Sequence, residues 1–314
     1  PKVKIKNICA QSSIGNSMYK FDSSLKKKSL PKITNLASIN FDNIDILFAA
    51  LPNGEAQKIS KKLTSKNKLI DLSADFRLEN PKNYKKWYNI THKSKNLIKH
   101  SIYSIPELID IKLDKFKIIA CPGCYPTSIQ LPLVPIIKKR LINTNNIIID
   151  SKSGYSGAGK NLLKKFKFKN IYESISAYGV SSHRHLAEID QQLKKISKNK
   201  IEVQFTPHLS PMFRGILSTI YVNLNKNITA RRIYKCLKKY YKNKHFIKFA
   251  KFNTPIGTGD IMHTNFCKIS VCNDRMKNKA IILSAIDNLI KGGSGQAMQN
   301  MNLLCGFNEQ MGFK

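Results

Sequence analysis

The chain has 314 residues, 42% hydrophobic and 9% aromatic, enough to build a core over about two domains and to exclude wholesale disorder. A net charge of +35 would suit a nucleic-acid partner, but 47 of the 54 basic residues are Lys, scattered in short runs among the Ile and Asn that A/T-rich codons also favour. Solvated surface is the simpler reading, so no nucleic-acid partner is expected; apolar runs as short as Asp45–Leu51 exclude a membrane-spanning helix, and the seven cysteines, in no regular framework, fit a reducing cytoplasm.

Val3–Ala10 alternates like a strand and ends in the polar Gln11, Ser12 and Ser13, with no signal-peptide pattern before it. A Lys- and Ser-rich irregular stretch follows as far as Asn43. Asp45–Leu51 is a short continuous apolar run, as expected of a buried parallel strand. Pro52-Asn53-Gly54 marks a turn, and Glu55–Thr64 has helical spacing. Lys68–Leu72 and Phe116–Ala120 read as further buried strands, the second leading into an apolar helix from Pro126 to Arg140. Strands alternating with helices predict an α/β fold with a doubly wound parallel sheet.

The second half differs. Asn146–Asp150, Ser176–Val180, Ile201–Thr206, Gly215–Leu224, Phe246–Phe252 and Phe266–Val271 read as strands, with helices at Leu186–Ile196 and Thr229–Tyr241. Many strands and few helices predict a mixed or antiparallel sheet in a second, α+β domain. Ala285–Leu304 reads as a helix broken at Gly292-Gly293-Ser294-Gly295.

Four segments carry chemistry. In Cys121-Pro122-Gly123-Cys124-Tyr125-Pro126, Pro126 suits a first helical turn and puts Cys124 at a helix N-terminus. Free amides and the helix dipole there would stabilise a thiolate and an oxyanion on a bound carbonyl. A redox dithiol, half a zinc site and two structural cysteines remain open readings of the same spacing. In His183-Arg184-His185, with Glu188 in reach, the histidines suit proton transfer to and from a thiol, or a metal. Arg214, in a Pro-flanked loop of an Arg-poor chain, offers a planar fork for phosphate or carboxylate, or a plain ion pair. Ser153–Lys160 contains a G-x-x-G-x-G run, an anion-friendly loop and a weak signal alone.

In this order, together with Ala50–Gly54, Asp71–Arg77, Tyr103–Leu108, Thr264–Cys267 and Asp287–Gly292 with Gln296, these segments resemble the N-acetyl-gamma-glutamyl-phosphate reductases of arginine biosynthesis, within the wider semialdehyde dehydrogenases. The resemblance covers most of the chain. It implies a Rossmann-like dinucleotide-binding domain over residues 1–123, completed by 285–314, and a catalytic and oligomerisation domain over 124–284. It implies a homo-oligomer, NADPH as cofactor and no metal. Cys124 would be the nucleophile, His183 the acid/base with His185 the near alternative, and Arg214, Tyr125 and Arg184 the substrate-binding residues. Ser12, Ser13, Leu51, Pro52, Asn53, Gly54, Ser156, Gly157 and Asn288 would bind the cofactor, with no carboxylate at Ser12-Ser13 to refuse a 2′-phosphate. The alternatives are a non-catalytic remnant of the same fold and an enzyme like the aspartate-semialdehyde dehydrogenases. Asn53 stands where the family usually has His, and the sequence is expected to lack the family's opening strand and glycine-rich phosphate turn, leaving an apolar slot open.

Overall fold

The computed structural model describes residues 2–158, 173–197 and 200–313. Strand β1 (Ile8–Cys9) pairs in parallel with β2 (Ile33–Thr34) in a small sheet of their own. The strand predicted over Val3–Ala10 thus shrinks to two residues, and Val3 and Ile5 stay exposed because nothing covers the apolar side of the lysine-rich segment.

The first main sheet is parallel, in the order β3-β4-β6-β5, from β3 (Ile46–Ala49), β4 (Lys68–Asp71), β5 (Ser101–Tyr103) and β6 (Ile118–Ala120), with helices α1 (Glu55–Ser60), α2 (Pro81–Tyr88) and α3 (Lys95–Ile98) in the connections. Leu69, Ile70, Ile118 and Ile119 are fully buried, as central parallel strands require. β3 departs from that pattern: it pairs only with β4, Ile46 and Leu47 are half-buried, and Phe48 is 49% exposed. Its apolar run is the one predicted, but its outer flank carries no strand among the described residues.

The second sheet has seven strands in the order β11-β12-β13-β10-β7-β9-β8. They are β7 (Ile142–Gly154), β8 (Ser176–Ala177), β9 (Val203–Ser210), β10 (Ile216–Leu224), β11 (Ile247–Phe249), β12 (Cys267–Asn273) and β13 (Lys279–Ile286). Pairing is mixed, with β7–β9 and β11–β12 parallel and the other ladders antiparallel. Helices α4 (Cys124–Lys138), α5 (His185–Ile196) and α6 (Ala230–Tyr240) share one core with its inner face, in which Ile129, Leu133, Ile189 and Ile233 join Ile149, Ile220 and Ile282. Burying each such side chain contributes about 1.5–3 kcal/mol. On the other face, Ile148 and Tyr221 are 39% and 38% exposed, and Leu217, Ile281 and Leu283 are half-buried.

Residues 285–304 are not one interrupted helix. Ala285 and Ile286 finish β13, whose apolar run makes it an inner strand, and the chain then makes a π-type turn at Ile290–Ser294 before α7 (Gly295–Leu304). α7 returns to the first sheet, packing Ala297 and Met301 against Ile70, Leu113, Ile119 and Cys121.

Candidate active site

A cavity of about 470 Å³ opens where the residues after β3 and β4 meet the start of α4 and the His183–His185 triplet. Of the residues predicted for the site, Cys124, Tyr125, His183, Arg184, His185, Leu51, Asn53 and Gly157 line it. Ser156 and Asn288 stand behind this wall, where Asn288 Nδ2 donates to Ser156 Oγ at 3.0 Å and Oδ1 accepts the Gly215 N–H at 2.6 Å. The structure does not bring Ser12, Ser13, Pro52, Gly54 or Arg214 to the wall. Gly54 is turned toward Asp75, whose carboxylate accepts its N–H at 2.7 Å. Gly159 and Lys160 of the glycine-rich run lie outside the described residues.

Arg214 is already paired: its NH1 meets Asp287 Oδ2 at 3.0 Å, and the buried Asp287 also accepts the N–H groups of His263, Leu289 and Ile290. The alternative reading of Arg214, an ion pair, is what the geometry shows. Besides Arg184, the guanidinium that reaches the cavity is Arg77, whose place there sequence spacing had not revealed.

Arg77 is nearly buried and spends its fork on three acceptors. Nε donates to the Cys121 carbonyl and NH2 to the Leu72 carbonyl, each at 2.8 Å, and NH1 meets Glu188 Oε1 at 2.9 Å. The other Glu188 oxygen accepts the Gly123 N–H at 3.0 Å and the Tyr103 hydroxyl at 3.1 Å. With both oxygens engaged, Glu188 ties α5 to the residue that caps α4. Glu188→Gln leaves Arg77 as an uncompensated buried charge, so urea unfolding should show a loss of about 3–5 kcal/mol.

Gly123 adopts an extended cap conformation, and Cys124 is the first residue of the helix, two positions earlier than the Pro126 start the sequence suggested. Proline is tolerated in that first turn, where an N–H would lack an intrahelical partner anyway. The His185 ring lies against Gly123: a methyl group there would stand 2.3 Å from Nε2, so only glycine fits. His185 Nε2 is 4.0 Å from Glu188 Oε1, and its Nδ1 is buried with no hydrogen-bond partner among the described residues. His183 sits beside it, ring centroids 4.8 Å apart, edge-on to Tyr125, Tyr178 and Phe205. Its Nδ1 accepts the His185 backbone N–H at 3.2 Å.

The electrostatics amend one expectation. Burial pushes the Cys124 thiol up to about 11, outweighing the Tyr125 and Cys124 N–H groups and Arg77, which pull it down. That balance favours the thiol over the thiolate expected from its place at a helix end. Burial likewise holds His183 down at about 3 and His185 well below its ordinary value, so both imidazoles are neutral. A neutral imidazole has a lone pair able to take a thiol proton, and both groups line this cavity. Cys121 is fully buried against Asn300 Nδ2 (3.7 Å), with its thiol pushed by burial to about 12, which does not suit a redox dithiol.

Comparison with known proteins gives the same picture. Residues 1–116 match the model described as semialdehyde dehydrogenase, NAD binding domain, and residues 124–288 match semialdehyde dehydrogenase, dimerisation domain. A probable chloroplastic N-acetyl-gamma-glutamyl-phosphate reductase of Arabidopsis thaliana is 41% identical over 99% of this chain and 78% of its own length. The N-acetyl-gamma-glutamyl-phosphate reductase of Brachyspira hyodysenteriae is 42% identical over 99% of this chain and 91% of its own. Among solved structures, the aspartate semialdehyde dehydrogenase of Francisella tularensis superposes with a TM-score of 0.66 at 13% identity, covering 95% of this chain and 91% of that one. The Candida albicans enzyme with NADP gives 0.63 at 16%, covering 97% and 92%.

Proposed function

The chain belongs to the semialdehyde dehydrogenase family, and we propose that within it the chain reduces N-acetyl-gamma-glutamyl phosphate to the semialdehyde with release of phosphate, a step of arginine biosynthesis. The observation that carries this reading is Cys124, the first residue of a buried helix, facing a cavity that it shares with two neutral imidazoles. The curated relatives at about 40% identity are named for that substrate, whereas the aspartate enzymes share only the fold, at 12–17%. The assembled site argues against a non-catalytic remnant.

Each residue has a task. An imidazole takes the Cys124 proton as the sulfur attacks the acyl carbonyl. Phosphate leaves, and a thioester remains on Cys124. Of the two histidines, the geometry favours His185 as the acceptor: its Nδ1 has no partner among the described residues, whereas His183 Nδ1 already accepts the His185 N–H. The amides that open α4 face the charge that develops on the carbonyl oxygen. A nicotinamide held on the wall would supply the hydride for reduction of the thioester. Collapse of the thiohemiacetal then expels the Cys124 thiolate, which takes its proton back from the imidazolium. On the wall, Arg184 is the cationic group for the anionic substrate, while Arg77, held by Glu188, braces the wall behind it.

The wall suits a flat cofactor ring. A side chain at Gly157 would press on Ser153 Oγ (3.1 Å) and Asn288 Nδ2 (3.4 Å), so this surface is kept bare. Leu51, Asn53 and Gly157 would hold NADPH at the carboxyl ends of parallel strands, with Ser156 and Asn288 fixing them from behind. The dinucleotide-binding part is residues 1–123 with the returning helix α7, which packs on the first sheet, whereas Ala285 and Ile286 stay in β13 of the second. Each NADPH oxidised on acetylglutamyl phosphate should release one phosphate, and kcat/KM on aspartyl phosphate should be lower by about a hundredfold or more, since polar groups that meet the acetylamide are left unpaired. Equal rates on the two would reject the substrate assignment.

The open face of the second sheet supports a homo-oligomer. Ile148, Leu217 and Tyr221 present an uncovered apolar surface within the segment matched as a dimerisation domain. Leu217→Glu with Tyr221→Glu should halve the mass in size-exclusion light scattering; an unchanged mass would place the contact elsewhere.

A further inference from the structure

Lys291 and Glu107 are both fully buried, and their charged ends meet at 2.5 Å. Gln299 closes the group: Oε1 accepts from Lys291 Nζ at 2.9 Å and from Asn265 Nδ2 at 3.0 Å, while Nε2 donates to Glu107 Oε1 and Glu309 Oε2, each at 2.9 Å. Taking two charges out of water costs about as much as their contact returns, so such a pair is a poor source of stability. Neither Lys291 nor Glu107 lines the cavity, and the reaction uses neither directly.

The neighbouring residue does touch the chemistry. Gly292 lies against the nucleophile, where a methyl group would stand 2.6 Å from Cys124 Cβ and 3.2 Å from Ile286 Cδ1. Four residues earlier, Asn288 holds Ser156 and the Gly215 N–H. Between them the backbone is irregular: the turn is π-type, and Gly293 leaves helical geometry at φ −158°, ψ −109°. The turn's own bonds, from the Gly292 N–H to the Asp287 carbonyl (3.0 Å) and from the Ser294 N–H to the Leu289 carbonyl (2.9 Å), tie it only to the residues just before it, so its place against the rest of the fold comes from side-chain anchors. Lys291 is the one that crosses to the loop after β5, through Glu107.

We propose that the Lys291–Glu107 pair is a positioning device: it fixes the turn at Ile290–Ser294 and, through Gly292, the seat of the Cys124 sulfur. Lys291 and Glu107 are thus positioning residues for the reaction, retained for geometry and not for stability. This rests on the reading of Cys124 as nucleophile.

The test replaces both charges with apolar side chains of similar size, Lys291→Met with Glu107→Leu, in the full chain. Expected are a Tm within about 5 °C of the native protein and a kcat lower by about 10–100-fold, with KM little changed. The pH profile of Cys124 alkylation by iodoacetamide, followed on the peptide by mass spectrometry, should move as well. Native kcat and a native alkylation profile would overturn the proposal. If the double variant does not fold, Gly292→Ala decides: a folded protein with native kcat shows that the turn does not seat the sulfur, whereas a loss of about tenfold or more supports it. Turnover that survives Cys124→Ser would instead overturn the nucleophile, a result separable from either arm.

Discussion

Cys124→Ser is expected to reduce phosphate-dependent turnover to below about one-thousandth of the native rate while leaving the fold intact. The hydroxyl occupies slightly less space than the thiol at the same helix position, so the packing of Gly292 and Ile286 around it is preserved. The chemistry is not preserved. Even the thiol, raised by burial to about 11, gives up its proton only when an imidazole takes it during attack, and a serine hydroxyl is far more reluctant. The same argument sets the behaviour of the free enzyme. Because thiolate is the reactive species, alkylation of Cys124 should speed up about tenfold per pH unit between about 7 and 10. A plateau reached near neutrality would show a resting thiolate and restore the helix-end expectation. Progress curves of NADPH formation from semialdehyde and phosphate measure the turnover arm.

His185→Gln is expected to lower kcat by about 10²–10⁴, the range of a lost general base. His183→Gln should cost about tenfold, through looser placement of its neighbour. The difference follows from their surroundings. His185 stands on Gly123 with Glu188 Oε1 at 4.0 Å, where a carboxylate can steady the imidazolium that forms in turnover. His183 is held among Tyr125, Tyr178 and Phe205. Reversed magnitudes would return the proton to His183. Both rings are neutral in the folded protein, chiefly through burial, and this fixes the sign of the pH dependence. An unfolded histidine binds its proton near pH 6.5, His183 in the fold only near about 3. Its contribution to stability is therefore complete above about 6.5 and is lost as pH falls toward about 3. Thermal melts from pH 8 to pH 4 should show Tm falling only in the acid half of the series.

The start of α4 was legible because its signals are local: glycine at the cap, proline in the first turn and an apolar run behind them. The ionisation of Cys124 was not, because burial is supplied by elements far along the chain. Arg77 shows the same limit. Its partner Glu188 lies 111 positions away, and each residue alone looks like one more surface charge. Arg214 drew attention by its rarity, yet the structure gives it to Asp287, another long-range pairing. β13 was missed because its apolar run passes without a break into the Asp287–Gly295 segment, whose glycines read as a helix interruption. β3 shows the converse: its composition predicts burial, but burial also needs a neighbour on each side.

The route of α7 bears on how this protein comes into being on the ribosome. Gln296 grips the first turn of α4 through Thr127 Oγ1 at 3.1 Å, and Gly292 packs on Cys124. Both are translated after every described strand of the two sheets. The two sheets must therefore wait, assembled but idle, until this segment emerges, because the packing that seats the Cys124 sulfur is incomplete before then.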